Sequence, residues 1–165
     1  MSSNPFPPIR RIVTGHNAAG RAVIKSDDAF ASEPIADLTA EFALVWTTDT
    51  VPADNSDETD GRLRDAGLTI NKGSVIRIVD FVPGGISPMH RTNSIDYGIV
   101  LVGAIELELE DGVKTVVGQH AVVVQRGTNH LWRNPSPTDY ARVAFVLIEA
   151  PACGVPVIGS DSGEI

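Results

Sequence analysis

Short strand-like segments separated by turn residues fill the chain from residue 73 onward, and this pattern limits the possible folds most. Pro83-Gly84-Gly85 and Asp111-Gly112 are strong turn signals, and residues 105–110 alternate apolar side chains with glutamate, as in a half-buried strand. The predicted strands are 75–82, 98–102, 105–109, 113–117, 121–125, 130–133 and 142–148. With no long helical pattern among them, these segments predict an all-β antiparallel sandwich or barrel.

The first part of the chain predicts a β-hairpin arm and an acidic loop. Residues 9–14 and 21–25 are apolar segments around a turn-like stretch, and such an arm offers an edge to another strand or a second subunit. Residues 42–48 predict a further strand, in which Trp46 is a candidate pocket wall. Residues 52–67 carry five acidic side chains and few apolar ones, which indicates an exposed loop with one helical turn at most.

The length of 165 residues fits one structural domain. Within it we predict an arm and acidic loop over residues 1–72 that pack on a barrel core over residues 73–150, followed by a tail over residues 151–165. Two-fold dimers are the commonest oligomers, so we also expect a homodimer with Ile9–Lys25 near the interface.

Composition excludes several partner classes. The 13 basic residues against 21 acidic ones give a net charge of −8, which argues against nucleic acid as a partner. No run approaches the roughly 20 apolar residues of a membrane span, and the N-terminus lacks the apolar stretch of a signal peptide. Cys153 is the single cysteine, so no internal disulfide can form. A cytoplasmic location is expected.

Two segments carry most of the chemistry, and here the sequence resembles the cupin superfamily over about residues 73–150. The first cupin motif is glycine, five residues, His-x-His, three or four residues, glutamate, six residues and glycine. The second is glycine, a turn, a histidine and, four residues later, an asparagine. The matching positions are Gly84, His90, Asp96, Gly103, Gly118, Gly127, His130 and Asn134. The resemblance implies a jelly-roll-like antiparallel β-barrel with a metal at its mouth.

The resemblance implies His90, Asp96 and His130 as metal ligands. Thr92 stands where the motif has its second histidine, and the shorter Asp96 replaces the glutamate. Two imidazoles and a carboxylate favour Fe(II), and they also suit Mn(II), Ni(II) or Zn(II). Other candidates for the pocket are Thr92, Trp132, Trp46 and Gln125. Of the remaining histidines, His120 and His16 are expected outside the site, while Asn134 is expected to fix a turn.

The sequences of the two motifs are similar to those of small single-domain cupins found beside fungal polyketide and aromatic pathways. This resemblance implies a metal-dependent oxidoreductase or oxygenase that acts on a small aromatic or polyketide-like compound. Two alternatives stay open, because a fold does not specify a reaction. One is a redox-neutral metal lyase, dehydratase or isomerase that uses the same ligands. The other is a non-catalytic barrel that binds a small molecule without metal.

Overall fold

The computed structural model describes residues 3–70, 72–152 and 154. These residues form eleven β-strands and two short 3₁₀ turns. The strands are β1 Ile9–His16, β2 Ala22–Phe30, β3 Glu33–Pro34, β4 Ala40–Thr48, β5 Ser74–Phe81, β6 Ser94–Val102, β7 Ala104–Leu109, β8 Lys114–Gly118, β9 Val122–Arg126, β10 His130–Arg133 and β11 Ala141–Glu149. The 3₁₀ turns are Gly61–Leu63 and Glu110–Gly112. No α-helix occurs in the described ranges.

The strands form a large sheet, a small sheet and a hairpin, and every pairing is antiparallel. The large sheet has the order β3-β4-β5-β11-β6-β9, the small one β10-β7-β8, and β1 pairs with β2. One apolar core includes side chains from both larger sheets. The predicted all-β antiparallel fold is thus confirmed, as a jelly-roll-like sandwich whose sheets do not close into a continuous barrel.

Alternation along the strands decides which side chains enter this core. On β5, Val75, Val79 and Phe81 point inward, whereas Ile78 joins a second apolar cluster on the outer face. On β7, Ile105 and Leu107 are buried, as the sequence pattern predicts. The predicted strands match observed ones, except that β2 ends five residues later and β6 begins four residues earlier than expected, and the two-residue β3 was not predicted.

The hairpin β1–β2 lies on the outer face of the large sheet. Ile9 and Phe30 pack there against Ala43, Ile78 and Ala144. An ion-pair network also holds the hairpin: the buried Arg11 guanidinium lies 2.6 Å from Asp28 Oδ2 and 2.7 Å from Asp60 Oδ1, in the acidic loop. The acidic loop therefore helps to hold the hairpin in place, and its 3₁₀ turn is the one helical turn that the sequence allowed.

None of the helical segments in the described ranges is long and apolar enough to cross a membrane.

Several expectations fall outside what the structure covers. Cys153 and residues 155–165 lie outside the described residues. The domain boundaries at residues 72 and 150 and the cytoplasmic location stay predictions.

A buried ion pair joins two neighbouring strands of the large sheet. Asp80 on β5 is fully buried, and its two carboxylate oxygens accept hydrogen bonds of 2.6 and 2.7 Å from Arg142 on β11. Ser32 and Asn4 donate further hydrogen bonds of 2.7 and 2.9 Å to the same carboxylate. The N-terminal segment is thereby linked to the centre of the sheet.

We predict that Asp80→Leu lowers the free energy of unfolding by about 3–5 kcal/mol, because it leaves the Arg142 guanidinium buried without its counter-ion. The double variant Asp80→Leu with Arg142→Met should recover most of that loss, since it removes both charges. Urea unfolding followed by circular dichroism measures both. A loss below about 1 kcal/mol in the single variant would show that the pair does not contribute as argued.

Candidate functional site

A cavity of about 390 Å³ lies between the two larger sheets. Most of its lining is apolar, and much of it comes from β4, β5, β10 and β11. Among the polar lining side chains are His90, Thr92, Asp96 and His130. The two segments that carry the predicted chemistry therefore meet at one concave, largely apolar surface, which is the usual form of a small-molecule site.

The two histidines stand side by side because their backbones pair. The stretch Gly84–His90 runs antiparallel to β10, and His90 and His130 exchange both backbone hydrogen bonds at 2.8 Å. Their imidazole centroids are 4.3 Å apart. The buried Asn134 side chain supports the preceding turn, because its Nδ2 donates to the carbonyls of Phe81 and Val82 at 3.2 and 3.1 Å.

The hydrogen bonds of the two rings define their tautomers. His90 Nδ1 lies 2.9 Å from the Pro88 carbonyl oxygen, and His130 Nδ1 lies 2.9 Å from the Thr128 carbonyl oxygen. A carbonyl oxygen can only accept, so each Nδ1 carries a proton, and in the neutral ring the lone pair then lies on Nε2. Metal-binding histidines are commonly oriented in this way by an acceptor at the second ring nitrogen.

Asp96 is buried on β6 and is held by three donors. Ser94 Oγ donates to Oδ1 at 2.5 Å, and Oδ2 accepts from Thr92 Oγ1 at 3.2 Å and from Gln125 Nε2 at 3.3 Å. Burial raises the pKa of Asp96, while the hydrogen bonds from Ser94 and Thr92 and the charge of His90 act in the opposite direction. The carboxylate is therefore confined to one orientation beside the cavity.

His130 is a neutral base at physiological pH. Burial, and secondly the neighbouring His90, lower the pKa of His130 to about 4, although the bond to the Thr128 carbonyl favours the charged form. Gln125 Nε2 lies 2.6 Å from His130 Nδ1 and 2.8 Å from His130 Nε2. Because Nδ1 donates to the Thr128 carbonyl, Gln125 donates to the lone pair on Nε2. Gln125 is itself buried and lies behind His130 and Asp96, outside the residues that line the cavity.

The donors present agree only in part with a three-ligand metal centre. Imidazole nitrogens and a nearby carboxylate are the ligand types that divalent transition metals take. Within the described part of the chain, however, no three His, Cys, Asp or Glu side chains are grouped so as to hold a metal ion. Asp96 and His130 instead share Gln125 as a hydrogen-bond donor. The ligand set therefore stays a prediction.

Comparison with known proteins identifies the family to which the chain belongs. A family model described as Cupin domain matches residues 77–147. Phomopsin biosynthesis cluster protein C' of Diaporthe leptostromiformis is 43% identical over 85% of this chain and 78% of its own length. Cupin-domain-containing oxidoreductase virC of Hypocrea virens is 38% identical over 90% of this chain and 81% of its own. This chain belongs to the cupin family.

Solved structures agree with this assignment at the level of the fold. The cupin domain of Schizosaccharomyces pombe Cnp3 superimposes with a TM-score of 0.54 over 85% of this chain and 87% of that domain, at 11% sequence identity. The expected resemblance to cupins, and to those of fungal biosynthetic clusters, is therefore confirmed.

In this cupin the other candidate residues divide into two groups. Thr92 and Trp132 line the cavity as expected, while His16 and His120 are exposed. Trp46 lies elsewhere, against the prediction that it forms a pocket wall: it contacts the Arg11 guanidinium, 5.7 Å from its ring centroid. The cause is a break in the β4–β5 register between Leu44 and Trp46, which shifts the alternation of inward and outward side chains.

Sequence reasoning missed two charged residues of the cavity, the exposed Asp37 and the buried Arg77. Arg77 on β5 is 8% exposed and lines the cavity together with Phe42 and Phe145. The signal was present in the alternation, because Arg77 lies in the row of inward positions between Val75 and Val79. A lone arginine in an otherwise apolar row of a buried strand is the pattern that indicates it.

We predict that His130 makes stability fall between about pH 6.5 and pH 4. Its folded pKa of about 4 lies below the ordinary value of 6.5, so its contribution is complete above pH 6.5 and is lost as the pH falls through the folded pKa. The loss attributable to this one group is about 3 kcal/mol. The raised pKa of Asp96 acts in the opposite sense in both wild type and variant.

Urea unfolding across this pH range should therefore give a flatter profile for His130→Asn than for wild type. The matched control is His16→Asn, which removes an exposed histidine and should keep the wild-type slope. Parallel profiles for wild type and His130→Asn would contradict the assignment of a neutral buried imidazole.

Proposed function

We propose that this cupin is a metal-dependent oxidoreductase that acts on a small aromatic or polyketide-like compound. The observation that carries the proposal is the histidine pair His90 and His130, whose Nδ1 atoms donate to backbone carbonyls, on the wall of an apolar cavity. Several relatives that cover most of the chain are named cupin-domain-containing oxidoreductases, which supports a redox role.

The residues proposed to hold the metal are His90 and His130 through Nε2 and Asp96 through its carboxylate. Fe(II) is favoured, with Mn(II), Ni(II) and Zn(II) as the other ions that accept this ligand set. When bound, such an ion supplies Lewis acidity at a substrate oxygen and, as Fe(II), access to dioxygen chemistry.

The side chains around the histidines prepare the site for a flat substrate. Trp132 and Phe145 pack edge to face with ring centroids 5.3 Å apart, and Gly98 opposite them leaves room for the rings. This aromatic surface excludes water and favours a planar ligand. Ser94 and Thr92 hold the Asp96 carboxylate by hydrogen bonds, so that its oxygens need little reorganisation during turnover.

We predict that His130→Ala loses bound metal and oxygen-dependent turnover, since the two remaining side chains are too few to retain a divalent ion. Elemental analysis of protein purified without chelator measures the metal, and an oxygen electrode measures uptake with candidate aromatic substrates. The matched control, His120→Asn, changes an exposed histidine and should keep the metal content of wild type.

The results also separate the alternatives. Full metal content and activity in His130→Ala would refute the ligand assignment. Metal-dependent turnover without oxygen uptake would favour a redox-neutral lyase or isomerase, and a metal-free wild type that still binds ligand would favour a binding protein.

We further propose that the protein is a homodimer with the hairpin at the interface. The outward face of the hairpin exposes Ile12 and Ile24, at 50% and 63% of their surface. Burial of such apolar side chains stabilises association, and a two-fold axis lets one patch cover itself.

Light scattering at micromolar concentration should therefore give twice the chain mass for wild type and the single mass for Ile12→Lys with Ile24→Lys. Val113→Lys is the control, because Val113 is equally exposed but lies beside the second 3₁₀ turn. A monomeric wild type would refute the dimer.

A further inference from the structure

Arg77 is a buried cation on the inward face of β5. Its strand neighbours on that face, Val75 and Val79, belong to the apolar core. Its backbone is in register with Phe145 on β11 and Leu44 on β4, so it lies in the middle of the large sheet. Only 8% of the residue is exposed, and it lines the cavity.

The partners of Arg77 are all uncharged. Nη2 donates to the carbonyl oxygens of Gly67 and Leu68, the latter at 3.1 Å, and the guanidinium carbon lies 5.4 Å from the Phe42 ring centroid. Nε has no hydrogen-bond partner, and no carboxylate lies within 4.0 Å of the guanidinium, among the residues described.

Two other buried arginines of the same chain show what is missing. Arg11 forms paired bonds with the carboxylates of Asp28 and Asp60, and Arg142 does so with Asp80. A buried guanidinium without such a partner loses the hydration of its charge and gains no counter-ion. Burial lowers the pKa of Arg77 to about 10, so the side chain still carries its charge at neutral pH.

An aromatic wall connects Arg77 with the histidine pair. The His130 and Trp132 rings are 6.0 Å apart, and the Trp132 and Phe145 rings are 5.3 Å apart. Phe145 is the direct cross-strand neighbour of Arg77. The histidines, the aromatic rings and the guanidinium therefore belong to one continuous wall of the cavity.

We propose that Arg77 binds the carboxylate of the substrate, so that the cavity selects small aromatic carboxylic acids. The acid supplies the counter-ion that the chain itself lacks, through the two-point contact that guanidinium and carboxylate favour. The carboxylates of Asp37 and Asp96 also line the cavity and repel an anion, which directs the acid group toward Arg77. This role of Arg77 specifies the substrate class of the proposed function. It rests on the proposed function only for the part of the substrate that would react beside the histidines.

Titration calorimetry with 2-naphthoate and its uncharged analogue 2-naphthamide tests this inference. Both probes are measured on chelator-treated protein and again after Fe(II) is restored under anaerobic conditions. Wild type should bind the acid at least about tenfold more tightly than the amide, with or without metal. Arg77→Met should weaken binding of the acid by about ten- to a hundredfold and leave binding of the amide within about twofold.

Two further variants keep the test decisive. Arg77→Lys retains the charge but not the planar fork, and it should keep part of the preference for the acid even if Arg77→Met fails to fold. Arg10→Met removes an exposed arginine of the hairpin and should behave as wild type. Near-ultraviolet circular dichroism establishes that each variant is folded.

The possible outcomes test the role of Arg77 independently of the proposed metal. A preference for the acid that persists without metal and disappears in Arg77→Met supports Arg77, whether or not the metal proposal holds. A preference that persists in Arg77→Met but requires metal assigns the carboxylate to the metal and overturns the inference. Equal binding of acid and amide by wild type, or binding of neither, also overturns it.

Discussion

The backbone pairing of Gly84–His90 with residues 130–136 is the interaction on which the site depends. Gly84 N donates to Ser136 O, Ser87 N to Trp132 O, and His90 and His130 exchange two bonds, all at 2.8 or 2.9 Å. β10 belongs to the small sheet, while this stretch continues from β5 of the large one. The ladder therefore holds the sheets together at the point where it also places the two imidazoles side by side.

Thr92 illustrates how a departure from the cupin motif can be accommodated. Its hydroxyl donates a hydrogen bond to Asp96 and lies 2.7 Å from the Ser94 hydroxyl, so the position that usually carries a ligand here orients a carboxylate instead. The same carboxylate and His130 both contact Gln125. A network of neutral donors thus surrounds the proposed ligands, while burial keeps His130 uncharged, which is the state that a metal requires.

The partners of the arginine side chains differ between the outer face of the large sheet and the cavity. On the outer face of the large sheet, Arg11 and Arg142 are matched by carboxylates that approach from distant parts of the chain. In the cavity, the partners of Arg77 among the described residues are carbonyl oxygens and an aromatic ring. Since an unpaired buried charge destabilises a fold, its presence in a concave surface is better explained by a ligand than by packing.

The sequence by itself determined the strands, the hairpin and the two motifs, because period-two alternation, turn residues and motif spacing are local properties of the chain. It therefore predicted that β7 buries Ile105 and Leu107. Only the tertiary structure decided that Trp46 leaves the cavity, because a single break in register reverses the face of every residue after it. It also decided that Gln125 lies behind the histidine and that no carboxylate of the described residues pairs with Arg77, since both depend on which distant side chains reach them.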